Sequence, residues 1–519
     1  MYFLKYRLWS IQLESFIILK DIDVESIQLI RLTGLREQEL ASAKSEAGDN
    51  WSRISQSINE HNALIAMGEK HSRQKAIQDP VHGAILLEPW ELDVISTWEM
   101  LRLRYVMQLG PAHIVYPGAT HTRFQHCIGT NFLAQKSIRV VNYCEDLDTA
   151  CFVPFSRLLD DYHKKLFRAA SLLHDVGHPP TSHTIEYALE SWAGIDHADL
   201  GEFLIMNSGL TDTLIQNDIE PQDIVNILKR RTKDPVLKLL SDFLDHPLDI
   251  DKTDYLIRDA HFSGVELGVF PAERVMLTNR VVPDKNGNYI RAFMLKSIHS
   301  LEALILSRNW MFADLYLHHA VKLAEALISK ATYFRLEEED LSKNECFGYF
   351  TRMTDADLFR WLNSSKIDFV REYASRIRYR RLFKVALSRP LVSFEPDAKK
   401  KLESMLGDIK SLIEAESDLS EEPGSVVLDI VIPELGEKKL RKIPLLVGGE
   451  QGFDIVSLDE TKEGRPLVHT LKQQTRTIPS VRVYCEPEIA SKVRKRFDGI
   501  YPMSDIPSYR EDEYDLTEY

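Results

Sequence analysis

The chain has 519 residues, which is too many for a single hydrophobic core, so two or three domains are expected. Hydrophobic residues make up 44% of the sequence, a content typical of a globular protein with a large core, and no run of about 18 apolar residues that could span a membrane is present. Acidic residues outnumber basic residues by 78 to 64, which gives a formal net charge of −14. A broad nucleic-acid-binding surface is therefore not expected.

The cysteine pattern and the N-terminal segment bear on the compartment. Five cysteines are scattered without a CxxC pair, which argues against a cysteine-bound zinc and favours reduced thiols. Charges interrupt the N-terminal segment MYFLKYRLWSIQLESFIILK, and no small-residue cleavage site follows it, so we expect no signal peptide. These features together predict a cytoplasmic protein.

The pattern of apolar residues changes along the chain. Residues 1–70 are predicted to form an N-terminal helical extension. In the central region, 71–335, apolar residues recur at helical spacing, as in ELDVISTWEMLRLRYVMQLG, TRFQHCIGTNFLAQKSIRVVNYC and LEALILSRNWMFADLYLHHAVKLAEALISKA. The last region, 336–519, contains the short β-branched runs GSVVLDIVIPELG, KIPLLVGG and SVRVYCEPEI, which predict strands. The sequence therefore predicts a mainly α protein with a helical core and a smaller mixed α/β C-terminal lobe.

One short stretch concentrates titratable side chains. LLHDVGHPPTSH, residues 172–183, places His174, Asp175 and His178 at the end of an apolar helix. On a helix, His174 and His178 would share one face, with Asp175 beside them. A neutral imidazole next to a carboxylate suits a divalent cation such as Mn, Fe, Zn, Co or Mg. His126 and Asp251, in two other segments of helical periodicity, are candidates for the remaining ligands.

Purely structural interpretations remain open for several of these residues. A single His-Asp pair is more often incidental than a metal site. His178 could instead interact with the dipole at a helix C-terminus. Arg258 could pair with Asp254 one helical turn away rather than contact a substrate. We interpret His82, in DPVHG, as a residue that shapes a turn.

The order His…His-Asp…Asp resembles the signature of the HD-domain superfamily. Within that superfamily the chain is similar to the deoxynucleoside triphosphate triphosphohydrolases, through VYPGATHTRFQHCIGT, LLHDVGHPPTSH, DIDKTDYLIRDAHFSGV and SRNWMFADLYLHHAVK. The resemblance covers roughly residues 79–325. It implies an HD-domain helical core at 71–335 and a regulatory or oligomerisation region at 336–519.

The resemblance also implies roles for individual residues. The implied metal ligands are His126, His174, Asp175 and Asp251, which would hold a divalent ion that activates water for attack on the α-phosphorus, while Mg accompanies the substrate phosphates. The implied catalytic residues are His197, His178 and His183, with His197 as the proton donor. The implied substrate-binding residues are Gln108, Leu109, Arg123, Lys252, Tyr255, Asp259, Arg308 and Tyr316.

The chain departs from the family pattern at a few positions. Phe312 stands where members often have a histidine, and Glu186 stands where they have an aspartate. Ser96 and Leu101 occupy the positions at which a vertebrate member reads an activating guanine nucleotide. Because serine cannot make the charge-assisted bonds of a carboxylate, we expect activation by GTP to be absent or altered.

Three functions are weighed on this basis. The leading hypothesis is metal-dependent hydrolysis of deoxynucleoside triphosphates to deoxynucleoside and inorganic triphosphate, which would lower the dNTP pool and could serve antiviral defence. The alternatives are an HD-type nucleotide phosphodiesterase or monophosphatase, and a non-catalytic nucleotide sensor. By resemblance we expect a homo-oligomer (a dimer, tetramer or hexamer) with a nucleotide activator at an interface, and neither a membrane nor a nucleic-acid partner.

Overall fold

The structure is a computed structural model, and it describes residues 71–142, 152–283, 288–431, 442–449, 452–477 and 480–504, together with residues 41, 44 and 45. Apart from these last three residues, the predicted N-terminal extension, 1–70, lies outside the described residues. Within the described ranges, no helix combines the length and the apolar character needed to cross a membrane.

The first part of the described chain is a β-hairpin followed by a succession of helices. The hairpin consists of the antiparallel strands β1 (Lys75–Asp79) and β2 (Gly83–Leu87). The helices are α1 (Pro89–Ile95), α2 (Trp98–Arg102), α3 (Arg123–Val140), α4 (Phe155–Leu158), α5 (Asp161–Leu173), α6 (Glu186–Ala193), α7 (His197–Asn207), α8 (Gly209–Gln216), α9 (Pro221–Leu228), α10 (Pro235–Leu244) and α11 (Ile250–Ser263).

The helix predicted over ELDVISTWEMLRLRYVMQLG is only partly correct. The segment divides into the short helices α1 and α2, because Thr97 between them adopts an extended conformation with φ −67° and ψ 151°. The Thr97 hydroxyl donates to the Val94 carbonyl at 2.8 Å and satisfies one of the groups left open at the end of α1. The helix predicted over TRFQHCIGTNFLAQKSIRVVNYC is confirmed as α3.

The core of this part is built where α3 packs against both α5 and α11. Its interior includes the fully buried rings of Phe155, Phe167 and Phe243, of which Phe155 and Phe243 stack with centroids 4.9 Å apart. Burial of such aromatic side chains contributes strongly to stability. Ile250, at the start of α11, belongs to the same apolar cluster as the buried residues of α3 and α5, whereas Leu256 and Ala260 of α11 belong to a second cluster.

In the second part of the chain, a π-helical segment separates two helices. After α12 (Ala272–Thr278), α13 (Ile298–Met311) passes into a π-helical segment, Phe312–Tyr316, before α14 (His319–Glu339). Such π segments inside helices occur frequently at functional sites. The remaining helices are α15 (Lys343–Phe350), α16 (Asp355–Asn363), α17 (Asp368–Arg378), α18 (Pro396–Ser404), α19 (Ile409–Leu419), α20 (Gly464–Thr477) and α21 (Pro487–Ile500).

Two small sheets complete the C-terminal part. One has the order β3-β4-β7-β8, formed by β3 (Asn279–Pro283), β4 (Tyr289–Met294), β7 (Pro444–Gly449) and β8 (Gly452–Ser457), with β4 and β7 parallel. The other is antiparallel with the order β5-β9-β6, formed by β5 (Lys384–Pro390), β9 (Ser480–Cys485) and β6 (Val426–Val431). The three strands predicted from β-branched runs are confirmed as β6, β7 and β9, and the mainly α fold class with a mixed α/β lobe is confirmed.

The two parts of the chain are joined extensively. Helix α14 runs continuously across residue 335, the predicted domain limit, and the four-stranded sheet combines strands from both sides of it. The division into 71–335 and 336–519 therefore remains a prediction about folding units.

Candidate metal centre and active site

Four side chains converge from three helices. His126 lies in the first turn of α3, which begins with a capping box formed by Thr122 and Gln125. Asp251 lies at the start of α11, where Asp249 caps the helix. His174 and Asp175 directly follow Leu173, the last residue of α5.

The ligand atoms of these four residues face one another. His126 Nε2 lies 2.9 Å from Asp251 Oδ1 and 3.1 Å from His174 Nε2. Asp175 lies 3.6 Å from His126 Nε2 and 3.5 Å from His174 Nε2. Two imidazole nitrogens and two carboxylates at this spacing form a donor set for a divalent transition metal.

The outward-facing nitrogens of the two imidazoles are engaged elsewhere. His126 Nδ1 lies 2.8 Å from Asp254 Oδ2, and His174 Nδ1 lies 2.8 Å from the Ser171 carbonyl oxygen. Such partners fix the tautomer so that the Nε2 lone pairs point toward the candidate metal position. Asp254 was considered in the sequence only as a partner of Arg258. The sequence feature that could have identified Asp254 as an orienting residue is its position about one turn after Asp251 on the same helix.

The carboxylates of this cluster stabilise positive charge at its centre. Burial disfavours the charged form of His126, but hydrogen bonds to Asp251 and Asp254 outweigh burial and raise the pKa of His126 to about 10. Burial opposes ionisation of Asp251 as well, yet the neighbouring imidazoles His126 and His174 hold its pKa below the usual range. A bound divalent cation would supply this positive charge in place of protons.

The expectation that His174 and His178 share a helical face is wrong. Helix α5 ends at Leu173, and the following residues form a turn in which the His178 N–H donates to the Asp175 carbonyl at 3.1 Å. His178 Nε2 nevertheless lies 3.3 Å from Asp175 Oδ1, so the turn still directs it to the site. Burial, reinforced by the charges of Arg123 and His197, keeps the pKa of His178 well below its usual value.

A second group of histidines surrounds Glu186. His183 Nδ1 lies 2.6 Å from Glu186 Oε2, and His197 Nδ1 makes a short hydrogen bond to Glu186 Oε1. The rings of His178 and His197 stack with centroids 4.2 Å apart. Glu186, the departure from the family aspartate, thus reaches both histidines from the first turn of α6.

This arrangement separates the proton affinities of neighbouring groups. Burial lowers the pKa of His197, but the bond to Glu186 outweighs burial and raises it above the usual value. Burial opposes ionisation of Glu186, while its bonds to His183 and His197 hold its pKa well below the usual range. His197 is therefore stabilised as a cation beside His178, whose pKa is lowered.

The predicted phosphate-binding cations already have acidic or aromatic neighbours. Arg123 donates to Asp175 at 2.5 Å and to Ser182 Oγ at 2.8 Å, and Lys252 lies 2.6 Å from Asp249. Arg308 packs over the Phe312 ring at 5.2 Å.

Arg258 has the structural role that the sequence left open. It is fully buried and donates to Asp254 at 2.8 Å and to Asp79 at 2.8 Å. It is also absent from the residues that line the cavity described below. His82, interpreted as a turn residue, lies 2.6 Å from the same Asp254 carboxylate.

A second set of side chains near the candidate ligands combines tyrosine rings with a carboxylate. Tyr316 donates to Asp259 at 2.6 Å, and His121 Nε2 lies 2.8 Å from the other oxygen of Asp259. Tyr255 lies between, with its ring centroid 6.4 Å from that of His126 and 6.4 Å from that of Tyr316. His121 was not singled out from the sequence.

One cavity of about 920 Å³ connects these groups. Fourteen of the fifteen predicted site residues line it, and the fifteenth, His126, is buried. They are Gln108, Leu109, Arg123, His174, Asp175, His178, His183, His197, Asp251, Lys252, Tyr255, Asp259, Arg308 and Tyr316. The cavity has the size of a small-molecule site with convergent polar groups.

Asp355, which no sequence pattern singled out, holds two loops of the site together. It accepts the Thr181 N–H at 2.7 Å and the Met107 N–H at 3.0 Å. Thr181 adopts a left-handed conformation with φ 57°. Nearby, buried Arg102 donates to the Met353 carbonyl at 3.2 Å and to the His178 carbonyl at 2.8 Å. The start of α16 therefore braces the loops on which Gln108 and His183 lie.

We predict that the chain binds about one divalent ion at the four ligand positions. His126→Gln and Asp251→Asn should each remove the ion, and Asp254→Asn should weaken binding by roughly 10- to 100-fold because the orienting carboxylate is lost. Metal content after gel filtration, followed by titration of the stripped protein, measures these effects. His299→Gln changes an exposed histidine and should bind metal like the parent. Unchanged metal content in His126→Gln would contradict the assignment.

We predict that Asp355→Asn loosens the two braced loops. Asparagine has one acceptor oxygen and presents an NH₂ group to the second donor, so a loss of about 1–3 kcal/mol is expected. Amide exchange at Met107 and Thr181 should then accelerate by roughly 5- to 150-fold. Asp368→Asn, an exposed change on α17, is the control. Equal exchange in the Asp355 variant and the parent would show that the brace is unimportant.

Comparisons with known proteins agree with this geometry. A family model described as HD domain matches residues 123–259, and one described as HD associated region matches residues 292–507. The chain is 28% identical to an uncharacterized protein of Methanocaldococcus jannaschii over 423 residues, covering 81% of each chain. It is 24% identical to the deoxynucleoside triphosphate triphosphohydrolase SAMHD1 of Gallus gallus over 477 residues, covering 82% of this chain and 74% of that protein.

A solved structure is similar as well. The crystal structure of a hypothetical protein from Aquifex aeolicus matches with a TM-score of 0.61 and 26% identity, covering 82% of this chain and all of that one, 100%. The HD-domain model spans all four candidate ligands, and the HD-associated model spans most of the C-terminal part. The chain therefore carries an HD domain followed by an HD-associated region, and it is similar to the deoxynucleoside triphosphate triphosphohydrolases.

Proposed function

We propose that the protein hydrolyses deoxynucleoside triphosphates to a deoxynucleoside and inorganic triphosphate. The observation that carries this proposal is the shared cavity. Its lining includes His174, Asp175 and Asp251, the His178–His183–His197 group, the cations and the Tyr255–Asp259–Tyr316 group, which supports a single substrate-binding site. The similarity to proteins named deoxynucleoside triphosphate triphosphohydrolase supports the same substrate class.

The four candidate ligands would together bind the metal ion of the reaction. His126, His174, Asp175 and Asp251 would hold a divalent ion, which when bound acidifies water and polarises phosphate oxygen. In the reaction, water adds to the α-phosphorus and the bond from phosphorus to the 5′-oxygen breaks. The negative charge that develops on the 5′-oxygen must then be met by a proton.

His197 is the residue suited to deliver that proton. Its Nδ1 is engaged by Glu186, so its Nε2 is the nitrogen left to face the cavity that it lines. Because Glu186 raises the pKa of His197, it favours the protonated form, which has a proton to transfer. His178 and His183 flank it, with ring centroids 4.2 Å and 5.4 Å from that of His197, and would help to hold the phosphate oxygens.

The remaining lining residues would bind the rest of the substrate. Arg123, Lys252 and Arg308 supply positive charge for the phosphates beyond the α-phosphate. The Asp259 carboxylate, held by Tyr316 and His121, is suited to accept the sugar 3′-hydroxyl. Tyr255 would pack against the 2′ carbon and leave no room for a ribose hydroxyl.

The proposal extends to the cell and to assembly. The enzyme would lower the dNTP pool, which could restrict an invading virus, and would act in the cytoplasm as a homo-oligomer. The dNTPase-like relatives support these extensions only through resemblance.

A product analysis tests the proposal directly. Purified protein with Mn²⁺ and each dNTP should release inorganic triphosphate and the deoxynucleoside in equal amounts. Asp175→Asn should abolish release, and His197→Ala should slow it by about 10²–10⁴-fold because a general acid is lost. Release of pyrophosphate or orthophosphate instead would favour a phosphodiesterase or monophosphatase. Retained binding without turnover would favour a sensor.

We predict that Glu186 sets the alkaline limb of the pH profile. His197 must be protonated to act, and Glu186 raises its pKa, so activity persists to higher pH than an ordinary histidine allows. In Glu186→Gln the pKa of His197 should fall, and the alkaline limb of kcat/KM should move to lower pH. Glu302→Gln, which removes the carboxylate from the exposed His299 pair, should leave the profile unchanged. An unshifted pH profile in Glu186→Gln would contradict the role of Glu186 in raising the pKa of His197.

A further inference from the structure

The cavity continues beyond the groups already described. From Tyr316 it follows α14, where Lys322, Glu325 and Ser329 line its wall. The opposite wall comes from β6, with Asp429, and from α6, with Tyr187. We call this extension the α14–β6 arm.

The α14–β6 arm carries charges of both signs. Lys322 Nζ lies 2.7 Å from Glu325 Oε2, and their side chains keep 19% and 26% of their exposure, on the cavity side of α14. Burial opposes the charge of Lys322, but Glu325 and Asp429 outweigh burial and raise its pKa above the usual range. An ammonium and two carboxylates therefore stand together inside the molecule.

Two polar atoms of this arm lack partners. Ser329 is 5% exposed, and its Oγ has no hydrogen bond within the described residues. Asp429 Oδ2 is also buried and has no hydrogen bond within the described residues. Leaving a buried polar atom without a hydrogen bond costs about 1–3 kcal/mol, so native structures satisfy the great majority of them. Because Ser329 and Asp429 both line the cavity, a polar ligand bound in the arm would satisfy these atoms.

The charges of the arm match one edge of a nucleobase. Guanine presents the O6 acceptor beside the N1–H and N2–H₂ donors. An ammonium at O6 and carboxylates at the two nitrogens would make charge-assisted bonds along that edge. Adenine has a donor in place of O6 and no N1–H. Cytosine has no N–H next to its carbonyl, and thymine offers one N–H donor for two carboxylates.

We propose that the α14–β6 arm binds the base of the substrate and selects guanine, with Lys322 donating to O6 and with Glu325 and Asp429 accepting from N1–H and N2–H₂. This inference rests on the proposed function for the position of the sugar and phosphates. Ser329 lies one helical turn after Glu325 on α14 and also lines the arm.

The first test is the ratio of kcat/KM between nucleotides. The kcat/KM of the parent should be about tenfold or more higher for dGTP than for dATP, dCTP and dTTP. A wrong base would leave a polar group of the enzyme without a hydrogen bond, which costs free energy in the complex. Deoxyinosine triphosphate, which lacks only the 2-amino group, should fall between. Glu325→Gln and Asp429→Asn should each lower the ratio of kcat/KM for dGTP to kcat/KM for dATP about tenfold.

A matched control and a separate readout keep the two proposals distinguishable. Lys399→Met and Glu403→Gln alter an exposed Lys–Glu pair on α18 and should preserve the dGTP preference. Equal kcat/KM for all four dNTPs in the parent would overturn the base assignment and leave the proposed function standing. If no dNTP yields triphosphate, the proposed function fails. In that case, calorimetry can compare the affinities of the parent for deoxyguanosine and deoxyadenosine. Tighter binding of deoxyguanosine that is lost in Glu325→Gln would support guanine selection by the α14–β6 arm. Equal affinities would overturn it.

Discussion

The active-site geometry depends on the buried carboxylate of Asp254. This one group lies 2.8 Å from His126 Nδ1, 2.6 Å from His82 Nε2 and 2.8 Å from Arg258 Nε. It thereby joins α3, the turn of the β-hairpin and α11, and it orients the ligand His126. A buried carboxylate is tolerable only when such partners satisfy it. The absence of a side chain at Gly129 permits the contact, because a Cβ there would lie 2.0 Å from Asp254 Oδ1.

The four side chains that meet at the candidate metal position could be selected from the sequence because two kinds of pattern coincide. Apolar periodicity marks α3 and α11, and the His-Asp pair stands where the apolar run of α5 ends. The residue chemistry then restricts what such a cluster can bind. The turn after Leu173 could not be predicted, since no glycine or proline occurs until Gly177 and the apolar spacing continues through Val176.

The residues that hold the site in place were harder to find. Asp355 acts from 174 residues beyond Thr181, and nothing in TDADLF distinguishes it from an ordinary acid near a helix start. His121 and Asp254 are polar residues whose partners lie on other elements. Local patterns identify side chains with reactive groups. The bonds that orient those side chains depend on tertiary contacts, which periodicity does not encode.

The continuity of α14 has a practical consequence. A fragment cut at residue 335 would end inside the helix and would lack β6, β7 and the start of α16. The cavity would lose one wall, the four-stranded sheet would lose two of its members, and the loop carrying Thr181 would lose its anchor. A shortened chain that ends at residue 335 would therefore expose surfaces of α14 and of the four-stranded sheet that are covered in the full chain.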